Sequence, residues 1–311
     1  MSAYLEVIEP GLLTTVQDLG RHGYERFGVP VAGAMDSCAL RAANFLVGNP
    51  PDAAGLEITL IGPRLRATEN CLIAVCGADL GLCVWKWKMS GWTAILVRRG
   101  WEISFEGRKS GCRAYLAVAG GIDVPLVMGS RATYLRGGFG GHQGRALRAG
   151  DALPVGRPAC SLSDWAGRQF PQRARPPYSD TPVLEVILGP QEDHFTPEGI
   201  DTFLSSEYTV GGTSDRMGYR LEGPAIAHRT SADIVSDGIA LGAVQVPANG
   251  QPLVMMADRQ TTGGYTKIAN VVSADVPLLA QCVPGSSRVR FRVTTVDAAQ
   301  TRYRAMMDNL R

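Results

Sequence analysis

The residues best suited to chemistry form one dense polar run near the C-terminal end of the chain. This run follows the apolar stretch 252–257 and extends over residues 258–267. Polar loops at the ends of rigid strands often carry binding and catalysis, so the run predicts a functional site. The alternative is a polar hairpin turn on the surface.

The side chains of this run suggest separate roles. Arg259 and Lys267 can neutralise a carboxylate or a phosphate, and Asp258 can act as a base. We therefore assign catalysis to these three residues. The rest of the run can orient a small polar substrate or let it approach the backbone: Gln260, Thr261, Thr262, Gly263, Gly264 and Tyr265. The alternative for Asp258 and Arg259 is that they pair with each other or with neighbouring loops.

Three residues that precede the run are further substrate-binding candidates: Arg216, Asp237 and Gln245. The stretch 211–220 combines paired glycines, hydroxyls and two arginines, which suits an anion-binding nest. Its alternative is structural, with Asp215 capping a turn that Arg220 bridges. Asp237-Gly238 is also a hairpin-turn signal, and turn formation explains it equally well.

A glycine-rich stretch at 136–145 contains five glycines, His142 and two arginines. Such a loop can wrap a phosphate or a carboxylate, and we assign His142 as a fourth catalytic candidate. A glycine-rich loop without a following helix is a weak phosphate signal, so a lid or a simple connection is an equal alternative.

Several strong motifs are absent from the sequence. It contains no P-loop, no H-E-x-x-H, no G-x-S-x-G and no Met-Lys-Met biotinylation signal. The four histidines (22, 142, 194 and 228) lie far apart without metal-ligand spacing, so we expect no metal site.

The composition is that of an ordinary globular protein. The chain has 311 residues, of which 45% are hydrophobic and 19% charged, and its net charge is +2. This balance provides no electrostatic case for binding nucleic acid or an anionic membrane. The seven cysteines form no C-x-x-C pair, and no apolar run approaches the length of a membrane span. Reduced thiols and a cytoplasmic location are therefore expected.

The elements that must position these residues are mainly strands. Period-2 and apolar runs predict strands at 72–76, 94–97, 103–105, 114–118, 183–188, 253–256 and 288–293. Helices are few: one at 36–47 capped by Asp36, one that starts at Pro197, short ones after Pro125 and Pro277, and an amphipathic helix at 297–310. The expected fold class is mainly β with minor helices, as barrels or sandwiches.

The chain also looks duplicated. Leu5-Glu-Val-Ile recurs at 184–187, and a G-x-x-D-x-x-(A/G)-x-R pattern recurs at 33–41 and 212–220, both with an offset of 179. We expect two related β modules at 1–156 and 182–311, the second with the C-terminal helix. The stretch 157–181 between them is rich in Pro and Arg and has the composition of a linker.

A long, ordered set of motifs resembles the KipA family. The matching stretches are 10–21, 28–30, 33–36, 44–50, 56–59, 117–122, 130–134, 137–144, 214–220 and 256–264. The family is also known as allophanate hydrolase subunit 2, as the biotin-dependent carboxyltransferase family, or as the C subunit of 5-oxoprolinase. The resemblance covers nearly the whole chain and implies cyclophilin-like β-barrel modules.

The resemblance also implies partners and an activity. KipA-like proteins pair with a KipI-like subunit and commonly act with a LamB/YcsF-type subunit as an ATP-dependent 5-oxoprolinase, which opens 5-oxo-L-proline to glutamate. We expect this activity, with ATP bound in the complex and a small amide as substrate. One alternative is carboxyl transfer from carboxybiotin to urea or another amide. The other is regulation, in which the chain sequesters a KipI-like kinase inhibitor.

Overall fold

The computed structural model describes residues 3–310 of the chain, and most of its regular structure is β. Within this range, the first half of the chain contains β1 Tyr4–Glu9, β2 Leu13–Gln17, α1 Ser37–Leu46, β3 Gly55–Thr59, β4 Arg64–Ala67, β5 Cys71–Asp79, β6 Leu82–Val84, β7 Trp87–Lys88, β8 Ala94–Val97, β9 Glu102–Phe105, β10 Ser110–Val118, β11 Ala152–Pro154 and α2 Leu162–Trp165.

The second half contains β12 Val183–Leu188, α3 Pro197–Ser205, β13 Tyr208–Val210, β14 Gly218–Glu222, β15 Asp233–Gly238, β16 Ala243–Gln245, β17 Leu253–Met255, β18 Thr262–Tyr265, β19 Lys267–Val271, α4 Val276–Ala280, β20 Arg288–Val293 and α5 Val296–Asp308. Short 3₁₀ helices lie at Glu25–Phe27, Gln172–Ala174 and Glu192–His194. The expectation of a mainly β protein with minor helices is confirmed.

The chain forms two compact units that interrupt each other in sequence. The first contains the chain up to His22, Ala32–Pro176 and Leu310, and the second contains Gly23–Val31 and Pro177–Asn309. The second unit thus takes a segment from near the N-terminus, a grouping that no local sequence pattern indicates. Most of the stretch expected as a linker, residues 157–176, groups with the first unit.

The first unit is built on two sheets. One has six strands in the order β11-β1-β4-β9-β6-β7, and the other has five in the order β2-β3-β10-β5-β8. Apolar residues of both sheets form one core, which includes Leu5, Leu56, Ile73 and Leu116. Helix α1 begins at its predicted cap, where the Asp36 carboxylate accepts a hydrogen bond from the Ala39 amide at 2.9 Å.

The second unit is built on a closed seven-stranded barrel in the order β12-β19-β16-β17-β14-β13-β20. Neighbouring strands run antiparallel except β12 and β20, which pair in parallel and close the barrel. Strands β15 and β18 form a separate two-stranded ribbon. This ribbon carries part of the polar run, and it contacts the barrel through Asp237 on β15 and Lys267 on β19.

Several predicted elements are matched closely. The strands predicted at 94–97, 183–188 and 288–293 have these bounds, and α3 starts at Pro197 with the Thr196 hydroxyl accepting from the Gly199 amide. The helix predicted after Pro125 is wrong: the described chain has turns there, and Met128 and Gly129 adopt positive φ values of 51° and 75°, which end any helix.

The repeated G-x-x-D pattern takes different local structures in its two positions. Asp36 caps a helix, whereas the Asp215 carboxylate accepts from the Met217 amide at 2.8 Å and the Gly218 amide at 3.3 Å in a turn before β14. Asp215 therefore caps a turn, as its structural alternative predicted, whereas the bridging role of Arg220 stays a prediction. The motif sets a local cap, and the residues that follow decide between helix and strand.

Candidate functional site

Strand pairing in the ribbon and in the barrel brings the polar run close to residues that lie before it in sequence. In the pairing of β15 with β18, Asp237 lies opposite Gly263, and in the pairing of β16 with β19, Gln245 lies opposite Lys267. Directly opposite residues of an antiparallel pair point to the same face. Strand pairing thus places four candidates in two facing pairs, Asp237 with Gly263 and Gln245 with Lys267.

Lys267 and Asp237 form an ion pair at this end of the barrel. The Lys267 ammonium donates a short hydrogen bond to Asp237 Oδ1, and the two side chains are 7% and 45% exposed, respectively. Gln191 contacts both residues: its Oε1 accepts from the Lys267 amide at 3.2 Å, and its Nε2 lies 3.5 Å from Asp237 Oδ2. The arrangement presents a carboxylate to solvent over a buried cation.

Asp258 is buried and held by Arg216. The guanidinium donates from Nε at 3.0 Å and from Nη2 at 2.8 Å to the two carboxylate oxygens. Both residues are almost inaccessible, at 7% and 5% exposure. A carboxylate held in a bidentate pair is a poor proton acceptor, so this geometry favours a structural role for both. Their assigned roles in catalysis and binding stay predictions.

Arg259 is anchored through backbone carbonyl groups. Its Nε donates to the Ile239 carbonyl at 3.0 Å and its Nη1 to the Met256 carbonyl at 3.4 Å. Burial lowers the pKa of this guanidinium, and the nearby Glu25 carboxylate raises that pKa to a smaller extent. The side chain is half-buried and lines a cavity.

That cavity has a volume of about 390 Å³ and belongs wholly to the second unit. One wall comes from the polar run, with Arg259, Gln260 and Thr261, and from residues 238–240. The other comes from the N-terminal segment that groups with this unit, through Glu25, Pro30 and Val31. Ligand pockets of this size typically combine apolar walls with a few polar groups, as here.

Two glutamine amides near Gly263 have unsatisfied polar atoms. Gln245 is fully buried, and neither its Nε2 nor its Oε1 has a hydrogen-bond partner among the described residues. The Oε1 atom of Gln260 is also buried and has no hydrogen-bond partner among these residues. A Cβ at Gly263 would stand 2.9 Å from Gln245 Nε2 and 3.4 Å from Gln260 Nε2. Buried groups of this kind usually bind a water, an ion or a ligand.

The other substrate-binding candidates of the run lie on or near the same ribbon. The Thr261 carbonyl accepts from the Ile239 amide at 3.0 Å, which fixes the cavity wall. Thr262 and Tyr265 are exposed on β18, and a Cβ at Gly264 would stand 3.3 Å from the Ser236 hydroxyl. Their roles in binding stay predictions.

His142 belongs to the first unit. Its Nε2 lies 3.3 Å from Asp151 Oδ1, and Arg145 donates two hydrogen bonds of 2.7 Å to the same carboxylate. The Arg145 guanidinium lowers the pKa of Asp151 to about 2. The glycine-rich stretch therefore has a structural ion-pair cluster, and the catalytic role of His142 stays a prediction.

Sequence reasoning missed Gln191, Glu25, Pro30 and Val31. Gln191 follows the end of β12, so its position at a strand end was a usable signal. Glu25 and Val31 had no such signal, because nothing local indicates that a segment near the N-terminus packs in the C-terminal half.

Comparison with known proteins identifies the class to which this fold and site belong. Residues 27–293 match the family described as the carboxyltransferase domain, subdomain A and B. The chain belongs to this family, which confirms the resemblance seen in its motifs.

The individual relatives are named either as the C subunit of 5-oxoprolinase or as urea amidolyase. The chain is 39% identical to the C subunit of the 5-oxoprolinase of Escherichia coli (strain K12) over 95% of its own length and 93% of the relative's. It is 35% identical to the corresponding C subunit of Haemophilus influenzae over the same shares of both chains. It is also 35% identical to the urea amidolyase of Lachancea kluyveri, over 91% of this chain but 16% of that protein.

Solved structures agree on the fold. The crystal structure of the Kluyveromyces lactis urea amidolyase superimposes with a TM-score of 0.93 and 32% identity, over 99% of this chain. The urea carboxylase of the same yeast gives the same TM-score and identity. The chain spans 20% of the length of the first and 29% of the second, so it corresponds to one part of each.

No helix within residues 3–310 combines the length and the apolar character needed to cross a bilayer. The expected cytoplasmic location goes beyond this observation and stays a prediction.

Proposed function

We propose that this chain is the C subunit of an ATP-dependent 5-oxoprolinase, which hydrolyses 5-oxo-L-proline to L-glutamate. The observation that carries the proposal is similarity to the C subunits of two bacterial 5-oxoprolinases, over 93% of the length of each. The urea amidolyase match covers only 16% of that relative. Relatives that correspond to the chain almost end to end are the better guide to its activity.

The geometry of the site supports the hydrolysis of an amide bond. A half-exposed carboxylate at Asp237 can take a proton from an attacking water, and the ammonium of Lys267 beneath it offsets negative charge that develops nearby. The amides of Gln245 and Gln260 offer unused donors and acceptors to an amide edge. Lactams resist hydrolysis because resonance stabilises the amide, so activation is required.

ATP supplies that activation in the proposed complex by providing a phosphoryl group for the lactam oxygen. ATP is proposed to bind in the complex, and the sequence of this chain contains no P-loop motif. A KipI-like subunit and a LamB/YcsF-type subunit are the proposed partners, and the complex is proposed to act in the cytoplasm.

The decisive experiment mixes the chain with its KipI-like and LamB/YcsF-type partners, ATP and 5-oxo-L-proline, and measures ADP and glutamate. We expect equal amounts of both products, and no glutamate when any one protein is left out. Asp237→Asn should abolish turnover in the assembled complex, whereas Arg288→Ala, at an exposed ion pair with Glu207, should leave turnover unchanged. Full glutamate formation without this chain would refute the proposal.

Carboxyl transfer is the second candidate, because the structural match to urea carboxylase and urea amidolyase is so close. Carboxybiotin would then be a co-substrate delivered by another protein, since this chain has no biotinylation signal. Carboxylation of urea by the chain with carboxybiotin, in preparations that release no glutamate from 5-oxo-L-proline, would favour this candidate.

A further inference from the structure

Arg259 is a half-buried cation whose hydrogen bonds go to backbone carbonyl groups. Within the part of the chain that the structure describes, its guanidinium forms no ion pair and donates only to the Ile239 and Met256 carbonyls. A guanidinium has five N–H donors, so both N–H groups of Nη2 and one of Nη1 stay available. Burying a charge without a partner costs free energy, which an anionic ligand would offset.

The other cations of the site are held in ion pairs within the protein. Lys267 is paired with Asp237, and Arg216 is paired with Asp258. Arg259 is therefore the cationic group of the polar run that is left for a ligand. Its planar fork suits the two oxygens of a carboxylate, which it can bind through parallel hydrogen bonds.

The surroundings of Arg259 define the rest of the ligand. Pro30, Val31 and Ile239 give the cavity an apolar surface that suits methylene groups. Gln260 and Thr261 add amide and hydroxyl groups on the same wall as Arg259. A small ring that combines methylenes, an amide and one carboxylate matches this set of groups.

Glu25 sets the charge of that ligand. Its carboxylate lines the same cavity and is near enough to influence the pKa of Arg259. Arg259 offers the cavity one positive charge and Glu25 places a negative charge on the same lining, so the cavity favours a monoanion over a phosphate dianion.

We infer that the cavity beside Arg259 is the subsite for the carboxylate of a monoanionic cyclic amide, and that Arg259 makes the protein select carboxylated lactams over neutral amides. The inference rests on the proposed function, and it assigns the substrate's carboxylate to a named group. Arg259 acts in binding and selection here, whereas Asp237 and Lys267 serve the reacting amide.

The test measures binding by titration calorimetry with the full chain assembled with its partners. The probes are 5-oxo-L-proline and 2-pyrrolidinone, the same lactam without the carboxylate, and inorganic phosphate serves as a competitor. The variants are Arg259→Gln, Arg259→Lys and, as a matched control, Arg288→Ala. Thermal melting verifies that each variant is folded.

The wild-type complex should bind 5-oxo-L-proline about 10- to 100-fold more tightly than 2-pyrrolidinone, the range expected for a charge-assisted bidentate contact. Arg259→Gln should remove this preference while the affinity for 2-pyrrolidinone changes less than about threefold. Arg259→Lys should keep part of the preference for 5-oxo-L-proline, and Arg288→Ala should keep all of it. A purely structural role of Arg259 would weaken the binding of both lactams alike.

Three results would overturn the inference: a preference that survives in Arg259→Gln, equal binding of both lactams by the wild type, or phosphate that binds more tightly than 5-oxo-L-proline through Arg259. The proposed function is tested separately, by turnover. Turnover of 5-oxo-L-proline without an Arg259-dependent preference would leave the function standing. Arg259-dependent selection without any turnover would leave the subsite standing and refute the hydrolase.

Discussion

The ammonium of Lys267 lies buried at the start of β19 and pairs with the carboxylate of Asp237 on β15, which is nearly half exposed. The pair is asymmetric, because water can solvate the carboxylate but not the ammonium. Losing one partner therefore has different consequences from losing the other.

We predict that Asp237→Asn destabilises the protein more than Lys267→Met does. The first change leaves a buried ammonium without its counter-ion, at a cost of about 3 kcal/mol. The second leaves an exposed carboxylate that water can solvate, at a cost within about 1 kcal/mol. Urea denaturation of both variants measures this difference, and equal losses of stability would show that Lys267 is solvated in solution. Both variants should lose turnover in the assembled complex.

Gly189 should tolerate no side chain, because it packs against the backbone of Lys267. A Cβ at Gly189 would stand 2.2 Å from the Lys267 carbonyl oxygen, and the Gly189 amide donates to the Ile268 carbonyl at 2.8 Å. Gly189→Ala should shift the start of β19 and lower the free energy of unfolding by about 2–3 kcal/mol.

Gly212→Ala is the matched control for that change. Gly212 lies in the same unit as Gly189, and a Cβ there would meet no atom within 4 Å. We expect the control to stay within about 0.5 kcal/mol of the wild type. Similar stabilities of the two variants in denaturant would contradict the close approach of Gly189 to β19.

Gln245→Met should lower turnover without lowering the stability of the protein. The change replaces a fully buried amide, whose polar atoms have no partner among the described residues, with an apolar side chain of similar size. Removing unsatisfied polar groups is close to neutral or stabilising, so we expect a change between zero and about 1 kcal/mol in favour of folding. Turnover by the complex should nevertheless fall if the amide binds the substrate.

A loss of stability above about 2 kcal/mol in Gln245→Met would instead indicate that buried water satisfies the amide in the free protein. Thermal melting and turnover on the same preparation distinguish the two cases.

Asp151 should contribute to acid resistance. Arg145 holds the pKa of Asp151 at about 2, below its ordinary value of 3.8. Its stabilisation, about 1 to 2 kcal/mol once solvent screening is included, is therefore present above pH 4 and is lost as the pH falls through 2. Asp151→Asn should show a smaller loss of stability between pH 4 and pH 2 than the wild type. Parallel stability curves for the two proteins across this range would contradict the shifted pKa.

Local patterns predicted many elements because their causes are local. The cap at Asp36, the proline start at Pro197 and the alternation in β20 depend on residues within one turn or one strand, and each is found where expected. The helix expected after Pro125 failed because a proline permits a helix start but cannot enforce one against the positive φ values that follow.

The candidate site was predicted as a set of residue types, whereas its pairings were not. The polar run identified Arg259 and Lys267, but the partner of Lys267 was set by how β15 and β18 pair. The partner of Asp258 is equally remote, 42 positions away at Arg216. Long-range register decides which charges neutralise each other, and no short window of sequence contains that information.

Because residues 23–31 group with the second unit, the cavity is completed by a part of the chain that is synthesised long before the barrel. The ribosome therefore releases one wall of the cavity early, and the opposite wall is complete only when residues 259–261 have emerged. A fragment that begins at Pro177 lacks residues 23–31, so its Arg259 cavity would be open on one side. We expect that a separate peptide of residues 23–31, added to that fragment, restores the missing wall, because this segment groups with the second unit.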